Sequence, residues 1–138
     1  MIKYDIDTTE NEYINYSGIT DNILEVKKII YNNDAFADCV GTIEIDSEIK
    51  KILWIVAVKE NGVYLRYESG KDSYLSVNNI NQTEEVDVWG DGLFVSAGFF
   101  INPELAWKGI CEFVSNAGLY EEITWIDCDD VSEELIFI

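Results

Sequence analysis

Histidine is absent from this chain of 138 residues. That removes the side chain best suited to general base work near neutral pH, and the commonest nitrogen ligand for zinc. The three cysteines, Cys39, Cys111 and Cys128, are widely spaced and form no Cys-x-x-Cys pair. No metal or other cofactor is therefore expected, and the thiols read as reduced and mostly buried. Pro103 is the only proline. The longest apolar run, Ile52 to Val58, is too short to cross a bilayer. The N-terminus has no basic region followed by an apolar stretch, so no signal peptide is expected and the location reads as cytoplasmic. Neither G-x-S-x-G nor a Walker-type glycine loop is present, so no enzyme activity is expected.

Cations are also scarce, and unevenly placed. Residues 1–71 carry eight basic and thirteen acidic side chains, a net charge of −5. Residues 72–138 carry fourteen acidic side chains and a single cation, Lys108, a net of −13. Recognition of phosphate rests on Lys and Arg, so direct binding to nucleic acid or to an anionic membrane is not expected. A soluble domain stays dispersed with far less charge, and the excess opposes compaction through self-repulsion. A cationic partner is the simplest reason to keep it.

What is present is a foldable composition. Apolar residues make up 48% of the chain and aromatic residues 13%, unlike a disordered acidic tail. The length fits one domain, residues 1–138, with one core. Ile23, Val26, Ile29 and Ile30 recur at the helical period, with Thr20 or Asp21 as N-cap and an end near Asn32-Asn33. From Val40 the period becomes two. Thr42 to Asp46 alternates as a half-exposed strand, and Ile52 to Val58 reads as a central strand covered on both sides. Asn61-Gly62 predicts a type I′ hairpin into Val63–Tyr67, and Gly70-Lys71-Asp72 a turn into Tyr74–Val77.

Two shorter strands are expected at Val86–Trp89 and Leu93–Ser96, joined by a turn at Gly90-Asp91-Gly92. Asn102 then caps a helix over 103–117 with Pro103 at its first position and Gly118 as the stop. Its polar residues Glu104, Lys108, Glu112 and Ser115 form one narrow stripe. Ile123–Ile126 reads as a strand and Leu135–Ile138 as another. The order predicts an α+β fold: an antiparallel meander of about five or six strands packed with an N-terminal and a C-terminal helix.

Two acidic groups stand out as partner-binding residues. One is Glu84, Glu85, Asp87 and Asp91 around the Val86–Trp89 strand; the other is Asp127, Asp129 and Asp130. The second is not an EF-hand loop, since Val131 and Ser132 stand where a ligand and the glycine belong. A solvated loop is its alternative reading. Paired carboxylates would suit glycosidase chemistry, but among 27 acidic residues some are neighbours by chance. Trp107 and Trp125 read as core. Trp89 alternates with Asp87 on the face opposite Val86 and Val88, and reads either as core or as an exposed interface anchor.

The run Val95-Ser96-Ala97-Gly98-Phe99-Phe100-Ile101-Asn102-Pro103-Glu104-Leu105-Ala106, followed by Ile110-Cys111-Glu112-Phe113, Gly118 and Ile123-Thr124-Trp125, resembles the Imm1-type immunity proteins of bacterial polymorphic toxin systems. The likeness spans roughly residues 52–126 and rests on a proline helix start at Pro103, close to the Ile-Pro-x-x-x-Ala pattern of that family, a Glu-Phe within the helix, a glycine after it and a strand reaching tryptophan. It departs where Leu119 to Glu122 lacks the proline common before the last strand, and where Asn102 precedes Pro103. The resemblance implies a monomeric cytoplasmic protein that forms a 1:1 heterodimer with a cognate toxin domain, a basic protein and plausibly a nuclease, as in contact-dependent growth inhibition. The alternative is an acidic adaptor, or a nucleic-acid mimic for another basic protein.

Overall fold

Strand-period segments outnumber helical ones along the chain, and most of them join one sheet. A computed structural model describes residues 1–9, 12–32, 35–88 and 92–138. The elements run β1 (Ile2–Thr8), β2 (Ile14–Thr20), α1 (Ile23–Ile30), β3 (Tyr31–Asn32), β4 (Ala35–Phe36), β5 (Cys39–Ile45), β6 (Lys51–Val58), β7 (Gly62–Ser69), β8 (Asp72–Val77), β9 (Glu85–Asp87), β10 (Phe94–Ser96), α2 (Pro103–Asn116) and β11 (Thr124–Asp127). The fold is α+β. Seven strands make an antiparallel sheet in the order β11-β8-β7-β6-β5-β1-β2, while β9–β10 and β3–β4 form separate two-stranded ribbons.

Seven strands exceed the five or six expected because two of them precede the first helix. Ile2, Tyr4 and Ile6 alternate with Lys3, Asp5 and Asp7, a strand period that places β1 between β5 and β2. The expected first element, a helix, is therefore the third. Its N-cap is Asn22 rather than Thr20 or Asp21: Asn22 Oδ1 accepts from the Leu24 N–H at 3.0 Å. Thr20 instead ends β2, and its hydroxyl accepts from the Asn22 N–H at 3.0 Å. The helix stops at Ile30, because Tyr31 turns extended and pairs with Phe36.

Hairpin β6–β7 sets the register at the centre. The Asn61 N–H donates to the Val58 carbonyl at 2.9 Å, and Gly62 follows at φ +111°. Three residues separate the pair Val58 and Gly62, so this is not the two-residue type I′ turn expected. A side chain at Gly62 would also strike the Ile101 carbonyl, which pairs reciprocally with Val63 at 3.0 and 2.8 Å. That bridge seats the start of α2 against β7.

Both helices cover one face of the sheet. Val26 and Ile30 of α1, and Ala106, Ile110 and Phe113 of α2, pack on Ile6, Ile43, Leu53 and Leu65. Full burial of each large apolar side chain contributes roughly 1.5–3 kcal/mol. Asn102 caps α2 as expected, accepting from the Glu104 N–H at 2.8 Å, and Glu104 and Lys108 meet at 3.8 Å on the exposed stripe. The helix ends differently: Ala117, at φ 55°, takes the left-handed conformation expected of Gly118. Trp107 and Trp125 lie half-buried at the rim of this core. Trp107 stacks on Tyr31 at 5.5 Å, and Trp125 Nε1 donates to the Tyr120 carbonyl at 3.1 Å.

The second face is covered only in part. Val56, Tyr64 and Leu75 lie under Val95, Phe99, Phe100 and Leu135. Residues 135–138 form no strand, contrary to expectation. Their backbone is held by Ser96, whose Oγ accepts from the Ile136 N–H at 2.9 Å and whose N–H donates to the Ile136 carbonyl at 2.9 Å. Tyr64 adds its hydroxyl, donating to the Ile138 carbonyl at 2.8 Å.

At the far edge, β2 pairs with β1 in an uninterrupted register of seven residues and, among the described residues, has no strand on its other side. It carries no charged residue and no proline, and most of it is exposed. Among the described residues, no helix is long and apolar enough to cross a membrane.

Candidate interaction surfaces

Carboxylates attract one another's counter-charges only if they share a surface, so the placement of the two acidic groups decides what they do together. Glu84, Glu85 and Asp87 belong to β9 and its approach, and with Glu60 they line an open groove of about 560 Å³. Its apolar lining is Val58, Val86 and Ala97. The Glu84 carbonyl accepts from the Ala97 N–H at 2.8 Å, and the Gly92 N–H lies 3.3 Å from the Asp87 carboxylate, so both bonds tie the two arms of the ribbon to each other. Trp89 and Asp91, expected to extend this group, fall outside the described residues.

Asp127, Asp129 and Asp130 occupy the other end of the strands. Asp127 ends β11 opposite Tyr74, and its carboxylate accepts from the Asp129 N–H at 2.9 Å, capping one turn of 3-10 helix. Cys128 Sγ lies 3.0 Å from Ser73 Oγ near the β7–β8 turn. The negative field there is felt by Tyr74, whose phenol is pushed above its ordinary value first by Asp72, with Asp127 contributing. Glu60 stands at the β6–β7 turn, one whole length of β7 away, on the order of 20 Å. The two groups therefore do not form one continuous patch.

Sequence reasoning missed the part of the second sheet face that none of the described residues covers. Register places two rows of side chains there. One runs Ser17, Asp5, Thr42, Trp54, Arg66 across β2, β1, β5, β6 and β7, and the next runs Ile19, Lys3, Glu44, Ile52, Glu68. Trp54 is 37% exposed and Ile19 67%. The run Ile52–Val58 is covered on both sides only from Ile55 onward. Counting back from the observed three-residue turn puts Trp54 opposite Arg66 and Ile52 opposite Glu68, polar neighbours that mark a wet face; the two-residue turn expected at Asn61-Gly62 pairs Trp54 with Ser69 instead, so this register was not legible beforehand.

Arg66 does not shield Trp54. Its Nε is 3.0 Å from Glu68 Oε1 and 3.3 Å from Ser73 Oγ, and its guanidinium lies 5.6 Å from the Phe137 ring. All but Glu68 belong to elements on the side of β7 away from β6. Among the described residues no Lys or Arg lies over the Trp54 ring, and its indole N–H donates to none of them. Lys50 meets Glu44 at 3.5 Å, and Asn15 Nδ2 bridges Asp5 and Asp7 at 2.7 Å each.

The three cysteines, all described, form no disulfide: Cys39 is buried and Cys111 and Cys128 are half-buried. Desolvation pushes the Cys111 thiol above its ordinary value, against a smaller opposing pull from Lys27. Among the described residues no three His, Cys, Asp or Glu side chains are grouped to hold a metal ion. No family model matches this chain, and no curated protein or solved structure does so either.

Proposed function

We propose that this chain is an immunity-type inhibitor, which binds and neutralises a cationic toxin domain of the nuclease class in a 1:1 complex. The observation that carries the reading is the display of carboxylates: Glu60, Glu84, Glu85 and Asp87 share one open groove on a chain of net charge −18. A toxin that acts on nucleic acid presents cations to phosphate, and those cations are what such a groove attracts. Complementary fields act over about 10 Å at 0.1 M salt and raise association rates toward about 10⁸ M⁻¹s⁻¹. The inhibitor works by occupying a surface, as a cytoplasmic monomer, with no chemistry of its own.

The test is protection. The gene immediately upstream should encode a toxin domain whose expression stops growth, and co-expression of this chain should restore it with the two proteins co-purifying at equal stoichiometry. Failure of both removes the reading. A second reading, an acidic adaptor or nucleic-acid mimic, draws on the separation of the two acidic groups by a strand length, which lets each meet a different cation cluster on one partner. It predicts binding to a basic protein that is not toxic.

A further inference from the structure

We propose that the free edge of β11 is where the cationic partner docks, by adding an extended segment that carries lysine or arginine as the next strand of the sheet. This rests on the inhibitor reading and names its contact. Three observations converge on it.

First, β11 ends the seven-stranded sheet and, among the described residues, pairs only with β8. The Leu65 N–H reaches Ser76 Oγ, so the odd-numbered residues of β7 turn their backbone groups toward β8. Alternation along the ladder then points the N–H and C=O of Ile126 at β8, and those of Trp125 and Asp127 outward. Among the described residues neither Trp125 nor Asp127 has a backbone hydrogen-bond partner. Only an extended chain meets such a row of donors and acceptors one for one.

Second, the charge at this edge is not cancelled. Residues 119–138 carry seven acidic side chains and no cation. Glu121, Glu122, Asp129 and Asp130 are exposed, and Asp127 belongs to the edge strand itself. Lys108, the one cation beyond residue 71, meets Glu104 at 3.8 Å, and Arg66 is held by Glu68 at 3.0 Å. Lys71 stands at the β7–β8 turn next to Asp72. Two phenols register the surplus. Tyr74 is pushed up first by Asp72, with Asp127 contributing. Tyr120 is pushed up first by its hydrogen bond to Glu122, with Glu121 and Glu112 contributing, and no cation opposes either shift.

Third, the sheet's other edge lacks this bias, since β2 carries no charged residue. A basic side chain on a strand added to β11 stands about 5 Å from Asp127, the cross-strand spacing at which opposite charges pair. A second copy of the chain is the wrong occupant, because it brings the same carboxylates and a further net charge of −18.

The experiment uses the whole chain and the toxin domain encoded by the upstream gene. Residue-resolved amide hydrogen exchange compares the free chain with the complex, and calorimetry measures binding for the parent, Asp127→Asn and Asp127→Lys. Asp127→Asn keeps an oxygen to accept from the Asp129 N–H and removes the charge. We expect the Trp125 and Asp127 amides, fast in the free chain, to slow about 10-fold or more in the complex. Asp127→Asn should weaken binding about 5-fold, and Asp127→Lys about 30-fold or more. If Asp127→Lys folds poorly, the exchange pattern of the parent and the affinity of Asp127→Asn decide the matter. If the parent binds while both amides exchange as in the free chain, the inference is overturned and the inhibitor reading stands. The same follows if β2 is protected in place of β11, or if Asp127→Lys binds as the parent does, since charge would then not select the occupant. If the parent neither binds nor protects, both fall. Slowing of these amides in the chain alone as its concentration rises would also overturn it, since a second copy would then be the occupant.

Discussion

Lys51 Nζ donates to the carbonyl of Ala117 at 3.0 Å, joining the first residue of β6 to the end of α2 across 66 positions. The last turn of α2 has no basic residue of its own. Lys51 therefore supplies from the sheet the positive charge that a helix C-terminus favours. Tyr67 contributes a second donor, its hydroxyl 3.4 Å from the same oxygen. Lys51→Met keeps most of the stem and removes the charge. We expect a loss of about 1 kcal/mol, or about 3 °C in Tm, measured by thermal and urea unfolding.

The same helix end offers a stabilising change. Ala117 sits at φ 55°, ψ 33°, where an alanine methyl crowds the backbone. Ala117→Gly should raise stability by about 1 kcal/mol, since the strain removed outweighs the added freedom of the unfolded chain. Gly118→Ala should be nearly neutral, because Gly118 lacks a positive φ. Denaturation midpoints compare the two directly.

Alkaline pH should weaken the fold. Tyr64 is buried, its hydroxyl donates to Ile138, and desolvation holds its phenol far above the ordinary value of 10.0. In the unfolded chain the group ionises near pH 10, so from there upward the unfolded state releases a proton that the folded state keeps. Stability contributed by this group is complete below pH 10 and declines above it, with a slope of up to about 1.4 kcal/mol per pH unit. Tyr64→Phe should cost about 1 kcal/mol at pH 7 through the lost hydrogen bond, and should make the alkaline decline shallower. Urea midpoints between pH 8 and pH 11 give both readings.

Charge reversal separates the two acidic groups. Asp129→Lys with Asp130→Lys, and Glu84→Lys with Glu85→Lys, each change exposed positions at opposite ends of the strands. Each pair should leave Tm unchanged or slightly raised, because repulsion falls. If the proposed inhibitor function holds, reversing the pair that faces the cationic partner should slow association and flatten its salt dependence in stopped-flow measurements. Effects on both would mean a partner wide enough to reach across a strand length.

The centre of the fold is legible in sequence because local signals agree there. The alternation of Thr42 to Asp46 and the Asn102-Pro103 helix start point to the elements observed, and Asn61-Gly62 marks the β6–β7 hairpin though not its three-residue turn. The margins are less so. Ser96 holds residues 135–138 by one side-chain and one backbone hydrogen bond in place of a strand, an arrangement visible only once distant segments meet. The uncovered face around Trp54 was hidden for a related reason: an apolar run reads as buried until its neighbours across the sheet are placed. The grouping of Glu84, Glu85 and Asp87 with Glu60 likewise depends on how the β9–β10 ribbon folds back.

The outer edge of β2 has a colloidal consequence. Most exposed strands are guarded by a lysine, a proline or a bulge, and this one, spelled Ile-Asn-Tyr-Ser-Gly-Ile-Thr, has none of them. Long-range repulsion between copies stands in for the missing local guard. That protection vanishes as the solution approaches the isoelectric point near 4.1, where the molecules lose their mutual repulsion. In mild acid the chain should come out of solution by edge-to-edge stacking through β2, and a single lysine at Ser17 should keep it dispersed.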